Sequence, residues 1–180
     1  MKKDIKKIIE IPEGIEISMD GREIVVKSNG REIKRMVGFR NVDVKISDGK
    51  AVISSKKGTK REAKIAGTTE AHLRNMINGL KEDFVYKLEI ANVHFPMNVK
   101  VEGNSVSIKN FFGEKVARIA KILPNVKVEV KGNEITVSSF NREAAGQTAA
   151  NIEKATRVTG RDRRVFQDGI YMTAKPGRVI

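Results

Sequence analysis

The sequence predicts an α+β chain of two duplicated domains, each a small antiparallel β-sheet packed against one α-helix. Three observations carry this reading. Four segments alternate β-branched and polar residues around a glycine-containing turn, these segments recur as two pairs, and an amphipathic stretch follows each pair. Period-two alternation around Asp-Gly or Gly-Asn marks a β-hairpin, because Gly and Asn tolerate the positive φ of tight primed turns. The turn glycines Gly21 and Gly49 lie 28 residues apart and Gly103 and Gly132 lie 29 apart, and the second pair is shifted from the first by 82 and 83 residues. Duplication of one unit explains such regular offsets.

Taken in order, the chain opens with "MKKDIKKIIEIPEG", which is basic and lacks the apolar run of a signal peptide. Pro12 then precedes the hairpin "IEISMDGREIVVKS" (15–28), and "VDVKISDGKAVISS" (42–55) is the second. A helix is expected over 60–81, where Ala66, Leu73, Met76, Ile77 and Leu80 fall on one face at three-four spacing. The glycine and charges of "GLKED" (79–83) mark the boundary between an N-terminal domain, 1–82, and a C-terminal domain, 83–180. The plan then repeats: Pro96, hairpins "VKVEGNSVSIKN" (99–110) and "VKVEVKGNEITVSS" (126–139), and a helix over 141–158 with Asn141 as its N-cap. The ending, Arg161–Ile180, reads as a turn-centred apolar clip around Asp168-Gly169. Phe166, Ile170 and Met172 are expected beneath the second domain and Tyr171 on the opposite, exposed face, with Pro176 and Gly177 ending regular structure.

The 35 basic residues exceed the 22 acidic ones, for a net charge of +13. That field attracts polyanions and repels other copies of the chain, so nucleic acid is the expected partner and self-association is not expected. No segment approaches the ~20 apolar residues of a membrane-spanning helix. The absence of cysteine excludes disulfides, thiolate chemistry and Cys-based zinc sites. His72 and His94 stand at non-equivalent positions of the repeat, and neither has a companion at metal-ligand spacing. Local hydrogen bonding is the expected role of both. "KKGTKRE" (56–62) lacks the G-x-x-x-x-G-K-[ST] pattern of a phosphate loop. The reading is a cytoplasmic protein, not an enzyme, with no cofactor or metal.

Three basic clusters are candidates for RNA contact. Lys56, Lys57, Lys60, Arg61 and Lys64 lie where the second hairpin meets a helix N-terminus, whose free N–H groups could join them around a phosphate. A solvated loop is the competing reading. Arg31, Lys34, Arg35 and Arg40 lie in a connecting segment and read as a solvated face. The third cluster, Arg157, Arg161, Arg163, Arg164, Lys175 and Arg178, is the principal one, because arginine's planar fork suits phosphates and base edges. Tyr171 is the exposed aromatic best suited to stacking. With aromatics at 5 % and no tryptophan, and no RRM- or KH-type run, backbone and shape recognition of folded RNA is the expected mode.

The ending "RVFQDGIYMTAK" (164–175) and the preceding "GQTAANIEKATRV" (146–158) resemble the C-terminal signature of the archaeal and eukaryotic branch of the large-subunit ribosomal protein L6 family. The resemblance extends through "IIEIPEG" and "HFPMNVKVEGNSVSIKNFFGEK" to the whole chain. It implies two duplicated α+β domains and a structural, non-catalytic protein of the large ribosomal subunit. It also implies binding to 23S-type rRNA near the sarcin–ricin loop and the base of the factor-binding stalk, with neighbouring ribosomal proteins as further partners. Arg157, Arg161, Arg163, Arg164, Lys175 and Arg178 are the matching positions expected to touch RNA. A free-standing RNA-binding or RNA-chaperone module is the alternative.

Overall fold

The computed structural model describes residues 3–28, 30–36, 41–47 and 49–180; Arg40 and the turn residue Asp48 lie outside them. The chain forms two compact units, Met1–Glu82 and Asp83–Ile180. The first runs β1 (Lys3–Glu10), β2 (Glu16–Asp20), β3 (Glu23–Ser28), β4 (Arg31–Met36), β5 (Asp43–Ser47), β6 (Lys50–Gly58) and α1 (Lys60–Lys81). The second repeats it as β7 (Phe84–Ala91), β8 (Asn98–Glu102), β9 (Ser105–Lys109), β10 (Arg118–Lys121), β11 (Lys127–Lys131), β12 (Glu134–Ser139) and α2 (Arg142–Ala155). It then adds β13 (Gly169–Lys175) and β14 (Arg178–Val179).

The fold class is the expected α+β duplication, and the strands of each unit are shared between two small antiparallel sheets. In the first unit these are β2-β3-β4 and β1-β6-β5; in the second, β10-β9-β8 and β11-β12-β7-β13-β14. All four expected hairpins form, and Gly21, Gly49, Gly103 and Gly132 have φ between 57° and 70°. What the alternation did not reveal is the third strand of each sheet. β1 and β7 pair antiparallel with β6 and β12, and the connecting segments supply β4 and β10. Arg31, Lys34 and Arg35 therefore lie on a strand.

Both helices form where the periodicity places them. Thr59 caps α1 and Glu62 reaches back to the cap in a capping box. Asn141 caps α2 by accepting from the N–H groups of Glu143 and Ala144. α2 ends at Ala155 rather than near Val158. The Thr156 hydroxyl accepts the Ile170 N–H at 2.9 Å, and the chain leaves the helix there to meet β13. Arg118 closes the same end, donating to the Ala155 carbonyl at 2.9 Å, where a cation is favoured by the helix dipole.

The second core gathers Leu88 and Ile90 of β7, Val106 and Ile108 of β9, Ile135 and Val137 of β12, and Ala145, Ala149 and Ile152 of α2, with Ile170 of β13. β13 joins the sheet between β7 and β14, so the C-terminal segment is structural. Lys175-Pro176-Gly177-Arg178 forms a turn that returns the chain along β13, with Ala174 opposite Val179 and the Ile180 N–H bonded to the Thr173 carbonyl. Pro176 and Gly177 thus make a hairpin, a correction to the expectation that they end regular structure.

Two of the helical glycines, Gly67 and Gly146, differ in the space around them. A methyl group at Gly67 would meet only the Lys7 Nζ, at 3.6 Å, whereas at Gly146 it would lie 2.9 Å from the hydroxyl of buried Tyr86. Gly67→Ala is expected to stabilise the protein by about 1 kcal/mol through helix propensity. Gly146→Ala is expected to destabilise it, because about 1–3 kcal/mol of overpacking exceeds the same gain. Urea unfolding followed by circular dichroism checks the two signs.

Candidate nucleic-acid interface

Residues 156–168 connect α2 to β13 along one end of the second unit, and hydrogen bonds define their path. Asp162 begins a tight turn in which its carbonyl accepts the N–H groups of Val165 (3.1 Å) and Phe166 (2.9 Å). Its carboxylate takes the Arg164 backbone N–H at 2.9 Å and the guanidinium at 2.8 Å. The Arg164 side chain and backbone bonds hold the Asp162 carboxyl below its ordinary pKa, and the Arg164 guanidinium is raised in turn. Arg163, between them in the turn, is exposed and has no ion pair among the described residues. Arg161 lies over two rings, 5.1 Å from the Phe112 centroid and 4.9 Å from that of Phe166.

The segment is anchored by Asp168, whose side chain is fully buried. Its carboxylate accepts the backbone N–H groups of Val93 (2.9 Å), His94 (3.1 Å) and Phe95 (3.0 Å) and contacts the His94 Nδ1 at 3.1 Å. Since a carboxylate only accepts, His94 carries its proton on Nδ1. Burial alone pushes the Asp168 pKa up; the donors from Phe95, Val93 and His94 outweigh it and hold the carboxyl below its ordinary value. The Asp168-Gly169 pair is therefore a loop anchor at the entry to β13. It is not the turn of a clip, a correction that only the tertiary contacts reveal.

Four rings collect beside this anchor. Phe166 lies 6.0 Å from the His94 ring and 5.6 Å, edge-on, from Phe112. Phe95 covers Gly113, where an added methyl would sit 3.5 Å from its ring. Phe112 belongs to the short turn Phe111–Gly113 and has φ 49°, ψ 32°; Asn110 and Gly113 are left-handed too. A bulky residue in that region is an outlier with a cost of about 1–3 kcal/mol. The packing of Phe111 beneath it, 1 % exposed with the Arg118 guanidinium 4.3 Å over its ring, holds the turn in place.

The expected site residues do not form one cluster. Arg157, Arg161, Arg163 and Arg164 share the α2–β13 connection, while Lys175 and Arg178 flank the terminal turn. The strand β13, which ends at Lys175, runs between these groups, roughly 20 Å at the rise of a strand. Tyr171 is exposed, as expected, but its hydroxyl donates to the Gln167 carbonyl at 3.0 Å and its ring lies on Gly169. Ile170 is in the core and Met172 packs against it, whereas Phe166 sits in the ring cluster rather than beneath the sheet.

In the first unit, Lys56, Lys57, Lys60 and Arg61 are all exposed at the β6–α1 junction. The helix N-terminus beside them is occupied. Thr59 Oγ1 accepts the Arg61 N–H, and the Thr59 N–H donates to the Glu62 carboxylate at 2.8 Å. Hydrogen bonds from Thr59 hold that carboxyl below its ordinary value. A phosphate would meet a carboxylate there, so the lysines, not the helix end, remain the candidates.

Both histidines are hydrogen-bonded, but to partners distant in sequence rather than to the local ones expected. Arg35 donates to the His72 Nε2 at 2.9 Å, as His94 does to Asp168. Among the described residues no group of three or more acidic or histidine side chains is placed to hold a metal, and no helix is long and apolar enough to cross a membrane. The sequence reading missed Phe95, Phe112 and the anchoring role of Asp168. The left-handed residues around Phe112 left one local signal, the Asn110 and Gly113 that bracket the two phenylalanines.

Comparison with known proteins places these segments in context. Residues 95–169 match the family described as Ribosomal protein L6. A curated relative from Methanococcus vannielii, named large ribosomal subunit protein uL6, is 47% identical over 176 residues, covering 98% of this chain and 97% of the relative.

The buried anchor gives an expected pH dependence. A carboxyl whose folded pKa is depressed contributes stability above its unfolded value and loses it as pH falls through the folded value. The second unit should therefore lose stability below about pH 3.9, the value of an unfolded aspartate. Asp168→Ala is expected to cost about 3 kcal/mol at neutral pH by leaving its donors unpaired, and to flatten that acid dependence. Thermal unfolding across pH 2–7 measures both.

Proposed function

This chain belongs to the ribosomal protein L6 family, and from that premise we propose that it is a non-catalytic structural protein of the large ribosomal subunit, bound to 23S-type rRNA through its C-terminal unit. The observation that carries the RNA-binding part is the α2–β13 connection. Its arginines sit on a segment tied to the core by Asp168 and Thr156, so their charge is positioned before RNA arrives. Preorganised cations lose less freedom on binding than a flexible tail does.

The rRNA region we infer is that around the sarcin–ricin loop and the base of the factor-binding stalk, with the ribosomal proteins of that neighbourhood as further partners. The resemblance of residues 164–175 to the family's C-terminal signature supports it. Residues 1–82 and 83–180 act as separate domains in this reading. Arg157, Arg161, Arg163 and Arg164 form the main contact, Lys175 and Arg178 a second one, and Lys56, Lys57, Lys60 and Arg61 contribute from the N-terminal domain. The excess of 35 basic over 22 acidic residues favours polyanion binding and disfavours self-association.

Deleting the C-terminus would remove β13 from the sheet, so charge neutralisation is the informative test. Replacing Arg163 and Arg164 with Gln is expected to make the slope of log K against log salt for rRNA binding shallower by about 1–2 units, at 0.7–0.9 per phosphate released. Lys34→Gln, on β4, should leave it nearly unchanged. Equal effects would contradict the C-terminal interface. A free-standing RNA-binding module would also bind unrelated RNAs equally well and leave the large subunit in salt-washed gradients, whereas the proposed protein co-sediments with it.

A further inference from the structure

The ring cluster is not explained by phosphate binding, which needs cations and N–H donors rather than exposed aromatic faces. It is also placed at the surface. Phe95 is 40 % exposed, although its own backbone N–H is committed to Asp168. Its ring rests on Gly113, whose neighbour Phe112 meets Phe166, and Arg161 lies across both of the latter. Arg161 is itself exposed, so its cation is accessible beside these rings.

The acids nearby are neutralised within the fold. Asp168 is buried, Asp162 is paired with Arg164, and Glu114 is gripped by Arg118 at 2.6 and 2.8 Å. Those Arg118 bonds hold the Glu114 carboxyl below its ordinary value, with a smaller contribution from the Arg161 charge. Arg163 and Lys115, in the segments that carry Arg161 and Phe112, are exposed and without ion pairs among the described residues. The exposed ring of Phe95, with unpaired cations in neighbouring segments, is complementary to a nucleobase with its flanking phosphates. An apolar protein segment would instead have to desolvate those cations.

We infer that the exposed ring of Phe95 stacks on one unpaired base of the bound RNA, with Arg161 as a cation held nearby on Phe112 and Phe166. Phe112 and Phe166 act as positioning residues that hold the Arg161 guanidinium against their rings. This deepens, and rests on, the rRNA-binding reading above. It also revises the composition-based expectation of backbone and shape recognition alone: few aromatic residues suffice when the fold brings them to one place.

The test is titration of the full chain with deproteinised large-subunit rRNA at several salt concentrations, comparing wild type, Phe95→Leu and Phe95→Trp. Phe95→Leu keeps apolar volume but removes the π-face, and is expected to weaken binding about tenfold, as loss of one base–aromatic stack does. Its salt slope should stay at the wild-type value, because no phosphate contact is removed. Phe95→Trp should restore affinity to the wild-type level or beyond. Binding by Phe95→Leu within twofold of wild type overturns the inference while leaving the rRNA-binding reading intact. The same holds if that variant binds rRNA normally but is lost from large subunits, which assigns the ring to a protein neighbour. A loss of slope along with affinity overturns it too, since the ring would then act through the phosphate contacts. Absence of salt-dependent rRNA binding by the wild type overturns the parent reading, and this inference with it.

Discussion

Burying an ionised carboxylate is strongly unfavourable unless donors surround it, and the way Asp168 meets that requirement organises the C-terminal unit. Its three N–H donors come from consecutive residues, Val93, His94 and Phe95, some 75 positions earlier in the chain. The bond network therefore joins the end of β7 to the start of β13. Because hydrogen bonds to a charged acceptor are stronger than neutral ones, this junction resists opening more than an ordinary loop contact. Arg161, Arg163 and Arg164 lie within seven residues of Asp168, and Phe95 is itself one of the donors. The charge and the exposed rings share one foundation.

The duplicated plan explains why the second unit can carry the proposed interface. Both units build a sheet in which a leading strand pairs with the last hairpin, β1 with β6 and β7 with β12. In the first unit β1 ends its sheet; in the second, β13 extends past β7 and β14 follows. The extra strands convert a basic C-terminal sequence into part of a core, with Ile170 buried and Met172 packed on it. The N-terminal unit has basic residues at its β6–α1 junction, yet its helix N-terminus is satisfied by its own capping box.

Much of this was legible in the sequence wherever a local pattern controls the outcome. The three-four spacing of Ala66, Leu73, Met76, Ile77 and Leu80 located α1, and the four Gly turns located the hairpins, because both depend on nearest-neighbour geometry. β1 was harder to see: Lys7 and Ile8 break the alternation of "KDIKKIIE", and pairing with β6 decides its state. The Asp168-Gly169 pair shows the limit most clearly. Asp-Gly has the same local signature in a hairpin turn and at the head of a strand. Only the arrival of residues 93–95 distinguishes them. The ring cluster was invisible for a related reason, since Phe95, Phe112 and Phe166 are far apart in sequence and meet only in the folded unit.

On these bonds the α2–β13 connection is ordered by the Asp168 anchor before any RNA binds. Native-state hydrogen exchange of the free protein tests it most directly, because amide protection reports the free energy of opening each segment. The expected result is that the Val93, Phe95 and Ile170 amides, whose acceptors are Asp168 and Thr156, exchange only with the core amides of β7 and β12. Exchange of these three at rates typical of an open loop, while β7 and β12 stay protected, would contradict it.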